Sequence, residues 1–71
     1  MREQILGLIE GILNVPMGTI TEDTKIADVE EWDSLAHVMI IGELESIGVS
    51  IPVEEAIELT SVAELFEKAG V

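Results

Sequence analysis

Asp33-Ser34-Leu35-Ala36-His37-Val38-Met39-Ile40-Ile41-Gly42-Glu43-Leu44-Glu45-Ser46-Ile47-Gly48 holds a start signal, an apolar pattern and a stop signal within sixteen consecutive residues. Asp33 suits an N-cap, because its carboxylate can accept the orphan amides of a first helical turn. Leu35, Val38, Ile41 and Leu44 recur every three residues, and Ile40 widens the stripe. Gly48 suits the left-handed position that ends a helix. The pattern predicts a helix from Asp33 or Ser34 to about Ile47, with its stripe turned to a core.

Upstream, Ile5, Leu8, Ile9, Ile12 and Leu13 make one apolar stripe on a helix from Arg2 to Val15, with Glu3 at its positive start. Asn14, Pro16 and Gly18 end it. The connection from Pro16 to Asp33 is long for so small a chain, so it needs anchors. Ile20, Ile26, Val29 and Trp32 are its isolated apolar residues, and Ile26 with Val29 suits a short helical turn. Downstream, Ile51-Pro52 favours extended backbone. A short helix follows over Val53 to Leu59. Ser61 and Glu64 have capping-box spacing before a last helix with Val62, Leu65, Phe66 and Ala69 facing inward, stopped by Gly70. The expected fold is an all-α four-helix bundle in one domain, residues 1–71, with three longer helices, one short helix and a long first loop. Its core should hold Ile5, Leu8, Ile12, Leu35, Val38, Ile41, Leu44, Ile51, Leu59, Val62, Leu65 and Phe66.

Composition narrows the function. Fifteen acidic residues stand against three basic ones in 71 residues, for a formal net charge of -12. Such a surface repels nucleic acid and anionic membranes and favours basic partner surfaces. Self-repulsion at this charge predicts stabilisation by salt or divalent cations. There is no cysteine, hence no disulfide and no thiol chemistry from the chain itself. No stretch reaches transmembrane length, and the first residues lack a basic region followed by a long apolar run. Cytoplasmic residence, no membrane insertion and a monomer are therefore expected. From Asp23, alternate positions give Lys25 and Ala27 with no central glycine, which excludes an EF-hand loop. No nucleophile–base–orienter set is present, so the chain is not expected to be an enzyme.

Glu30-Glu31-Trp32-Asp33-Ser34-Leu35 is the stretch that bears on chemistry. A serine just inside a helix start is exposed, since no earlier turn covers it. A phosphodiester there meets unpaired N–H groups and the positive helix end. Read alone, Asp-Ser at a helix start is more often capping and nothing else.

Asp33-Ser34-Leu35 resembles the Asp-Ser-Leu attachment motif of acyl carrier proteins, and the resemblance covers nearly the whole chain. Val38, Ile41, Leu44 and Glu45 are similar to that family's second-helix pattern. Ile51-Pro52 with Glu54-Glu55-Ala56 resembles its approach to the third helix, and Thr60-Ser61-Val62 the start of its fourth. The resemblance implies that a phosphopantetheinyl transferase attaches 4'-phosphopantetheine to Ser34, flanked by Asp33 and Leu35. It further implies that acyl groups ride on the arm's thiol as thioesters, for fatty acid, polyketide or related acyl biosynthesis. It also makes the first two helices roughly antiparallel, and suggests that a long acyl chain lodges between the helices.

Departures from the family pattern are informative. Ala36 and Met39 stand where acidic residues are common, Gly42 where a larger apolar residue is common, and Trp32 where a small residue precedes the motif. The partner-facing side of the second helix is therefore less acidic and more apolar than usual, which implies a specialised carrier. Ala36, His37, Met39, Glu43 and Glu45 are the expected contacts for acyl-transferring and acyl-modifying enzymes with basic docking surfaces. For four of them a bland role competes: a solvated face for His37, Glu43 and Glu45, and a core edge for Met39. Trp32 is expected to anchor the loop on the core. Amino-acyl cargo, or an unmodified acidic interaction module docking through the second helix, are the alternative readings.

Overall fold

The computed structural model describes residues 1–71 and contains helices joined by turns. They are α1 (Arg2–Leu13), α2 (Ser34–Ser46), α3 (Val53–Ala56) and α4 (Val62–Ala69), with a single 3-10 turn over Ile26–Asp28 in the long first loop. The expected bundle of three longer helices and one short helix is the observed one.

Local chemistry sets the ends. Asn14 takes a left-handed conformation at φ 58°, so α1 stops after Leu13 and not at Val15. Asp33 Oδ1 accepts the Ala36 N–H at 2.8 Å, the expected N-cap of α2. At the other end Gly48 is left-handed at φ 88°. Its N–H donates to Glu45 O, and the Val49 N–H donates to Leu44 O at 2.8 Å. That pair of bonds is a Schellman closure, and it turns Val49 into the core. α3 ends at Ala56, three residues before the expected Leu59. α4 opens with Ser61 Oγ accepting the Glu64 N–H, while the Glu64 carboxylate reaches back to the N–H and hydroxyl of Thr60. The capping box is thus displaced by one residue from the Ser61 amide.

The core comprises Ile5, Ile9 and Leu13 of α1, Ile40 and Leu44 of α2, and Val62, Leu65 and Phe66 of α4, with Ile20, Trp32, Val49, Ile51, Ala56 and Leu59 between them. Each fully buried aliphatic or aromatic side chain contributes about 1.5–3 kcal/mol relative to exposure. Leu8, Ile12 and Ile41 are half-buried at its edge. Leu35 and Val38 are not in it: they are 70% and 68% exposed. The reason is geometric. A series spaced strictly by three residues drifts about 60° around a helix at each step. Starting from Leu44 in the core, it reaches the opposite face by Leu35. The buried face of α2 is the one built on Ile40 and Leu44, with Ala36, His37 and Ile41 along its margins.

The long loop is held at three places. Glu10, buried in α1, accepts the N–H groups of Gly18 at 2.7 Å and Ile20 at 3.0 Å through one carboxylate oxygen. Lys25 and Ser61 form an antiparallel bridge, with Ile26 N–H donating to Thr60 O and Val62 N–H to Thr24 O. Trp32, 5% exposed, seats the end of the loop in the core as expected. No helix is long and apolar enough to cross a membrane.

Candidate functional site

Ser34 is the first residue of α2 and is exposed. Its hydroxyl takes part in no hydrogen bond of the structure, and neither its N–H nor that of Leu35 has a protein partner. Asp33 and the following turn satisfy the next two amides, through Ala36 N–H to Asp33 Oδ1 and His37 N–H to Asp33 O at 2.9 Å. The serine oxygen therefore stands free beside two donor groups at the positive end of a helix of thirteen residues. A phosphate ester on that oxygen would find the N–H groups of Ser34 and Leu35 unpaired, since the Asp33 cap is spent on the Ala36 amide. The residues present fit such a group.

His37 lies one turn further on, half-buried and engaged through both ring nitrogens. Nδ1 accepts the indole N–H of Trp32 at 3.0 Å, and Nε2 lies 2.7 Å from the carbonyl oxygen of Ala56 in α3. A carbonyl only accepts and an indole N–H only donates, so the imidazole is neutral with its proton on Nε2. His37 is therefore neither a solvated side chain nor a contact aimed at the serine. It ties the end of the loop and the end of α3 to the base of α2.

A groove of about 320 Å³ begins at Asp33 and Ser34 and lies between the start of α2, the first loop and the segment that follows α3. Ile26, Trp32, His37, Val38, Ile57 and Leu59 complete its lining. Ile57, Ile26 and Leu59 escaped sequence reading as site residues, since nothing local marks them; only the docking of α3 and the loop brings them to Ser34. Around the mouth, Leu35, Val38 and Ile57 expose 68–74% of their surface. On α2 the exposed stripe continues through Met39, half exposed, with Glu45 on one flank and Glu43 on the other, both exposed. Ala36 is partly buried, packed against the core at the margin of α2. Of the sequence-derived residues, Asp33, Ser34 and Leu35 come together at the helix start, Met39 lies on the outer face with Glu43 and Glu45 at its flanks, and Ala36 and His37 lie at the margins of the buried face, His37 also lining the groove.

No curated protein matches the sequence at a significant level. The family model described as "Phosphopantetheine attachment site" matches residues 3–68. With that match reaching into all four helices and covering the Asp33-Ser34-Leu35 start of α2, the chain belongs to the phosphopantetheine attachment family of carrier domains, whose members bear a covalent 4'-phosphopantetheine.

Proposed function

We propose that residues 1–71 act as a single acyl carrier domain whose arm is attached through Ser34 Oγ. Carrier domains of this family work with a phosphopantetheinyl transferase and with acyl-processing enzymes, and are generally not catalysts themselves. The observation that carries the assignment to Ser34 is its unbonded hydroxyl beside the free N–H groups of Ser34 and Leu35. The bound group supplies a thiol that holds the acyl cargo as a thioester, chemistry the cysteine-free chain lacks.

This chain's residues supply the rest. Asp33 caps and fixes the turn that presents the serine. Leu35, Val38, Met39 and Ile57 offer an apolar contact surface next to the arm, and Glu43 and Glu45 flank it with negative charge. A partner surface with an apolar patch and basic rim fits that face, and a net charge of -12 steers its approach. Four exposed apolar residues against two flanking carboxylates on this face support service in a specialised acyl pathway. Presentation on a tether raises the effective concentration of cargo at each partner.

The test is the intact mass of the protein after incubation with coenzyme A and a promiscuous phosphopantetheinyl transferase. One arm is gained by the native chain and none by Ser34→Ala. A native chain that gains no mass, or a Ser34→Ala chain that gains it, removes the assignment.

A further inference from the structure

We propose that the hydrogen-bonded pair Trp32–His37 closes the helical interior to the cargo, so that this carrier selects short acyl groups, which reach the groove beside Ser34 when the arm folds back on it. The proposal rests on Ser34 being the attachment point. The groove of about 320 Å³ lies at the small end of the range for ligand cavities, and it opens to solvent along Val38 and Ile57. Its inner wall is Trp32, His37 and Leu59. Trp32 and Leu59 belong at once to the groove and to the buried core.

That wall resists opening. Swinging the indole aside would strip its buried N–H of the only partner the structure provides, His37 Nδ1. Moving the imidazole with it would also take from the Ala56 carbonyl its 2.7 Å partner and leave it only the longer bond from the Leu59 N–H at 3.3 Å. Behind the wall the space is occupied: Ile40, Leu44 and Phe66 are at most 2% exposed. Close-packed interiors do not admit a long chain without displacing side chains. A short acyl group therefore gains apolar contact from Trp32, Val38 and Ile57. Any methylene beyond the groove passes into water and gains nothing from this protein.

The experiment transfers acyl-pantetheine arms of increasing length from acyl-coenzyme A to the full chain. Loading is verified by mass, and thermal unfolding and Trp32 fluorescence are then followed. The expected result is a melting temperature that rises from acetyl to hexanoyl and is flat to tetradecanoyl, with Trp32 emission unchanged throughout. A further rise with tetradecanoyl, or an emission shift that grows with length, overturns the proposal. Trp32→Ala, where it folds, extends the rise to tetradecanoyl; a folded Trp32→Ala protein that keeps the plateau also overturns it. The native series decides the matter without the variant. A chain that takes no arm at all is recognised by mass before any melt, and refutes the attachment at Ser34, not the wall.

Discussion

His37 Nδ1 accepts the indole N–H of Trp32 at 3.0 Å, joining the residue two before Ser34 to the residue three after it. The same ring holds the Ala56 carbonyl through Nε2. Replacing Trp32 with Phe keeps the apolar bulk but removes the donor, and is expected to cost about 0.5–1.5 kcal/mol, the net value of one hydrogen bond. Replacing His37 with Ala strands the indole N–H and leaves the Ala56 carbonyl only its bond from the Leu59 N–H, and is expected to cost about 1–3 kcal/mol. Denaturant unfolding of the two variants measures this order. Nitrogen-15 spectra of the ring should show the Nε2–H tautomer at neutral pH; the other tautomer would break the assignment of both bonds.

The register of α2 is tested by a pair of truncations. Leu44 is fully buried, so Leu44→Ala should cost about 2–5 kcal/mol. Val38 is mostly exposed, so Val38→Ala should lie within about 0.5 kcal/mol of the native chain. Equal losses at the two sites would mean that α2 is rotated from the orientation described. Because Val38 lines the groove, its truncation should instead be felt in partner enzyme kinetics.

These two residues also mark where sequence reading stops. Caps, stops and helix lengths are local, and Asp33, Ser61, Gly48 and Gly70 signal them within a few positions. The serine is local too, because its exposure follows from its place in the first turn. The face of α2 is not local. Apolar residues lie all around this helix, with Leu35 and Val38 on one side and Ile40 and Leu44 on the other, so periodicity alone cannot say which side meets α1. An outward apolar face next to the proposed attachment serine would serve partner contact, a role that no folding pattern encodes. The groove and the triple Trp32–His37–Ala56 are equally hidden, since they join distant parts of the chain, His37 to Ala56 across nineteen positions and Ile26 to Leu59 across more.

Glu10 is the clearest case of a role hidden from the sequence. Placed between Ile9 and Gly11 in an acidic chain, it reads as one more surface carboxylate. It is 6% exposed and holds the loop through the amides of Gly18 and Ile20. Glu10→Ala leaves those donors without their acceptor and is expected to cost about 1.5–3 kcal/mol, the value of hydrogen bonds to a charged group. Glu10→Gln, which keeps an acceptor oxygen, should lose less. Amide exchange at Gly18 and Ile20 should rise in the Ala variant ahead of exchange in α4. Uniform acceleration along the chain would mean that Glu10 serves the core and not the loop.

The pH response of the α3–α4 end follows from two exposed groups. The Thr60 hydroxyl, and then the Thr60 backbone N–H, donate to Glu64 and hold its carboxyl below the usual 4.5. A depressed acid adds stability that is present above 4.5 and is lost as pH falls through its folded value. Lys68 is shifted the other way, above 10.5, chiefly by its hydrogen bond to Glu55 at 3.1 Å and then by that residue's charge. Its contribution is present below 10.5 and is lost as pH rises through the folded value. Both groups face water, so each effect is small and is weakened by salt. Thr60→Val removes the leading cause at Glu64, so its titration midpoint, followed by carbon-13 NMR of the side-chain carboxyl, should move up toward 4.5 while the Lys68 midpoint stays in place. A native Glu64 midpoint at or above 4.5 would mean that the carboxylate does not reach back to Thr60, and that α4 begins with the Ser61 cap alone.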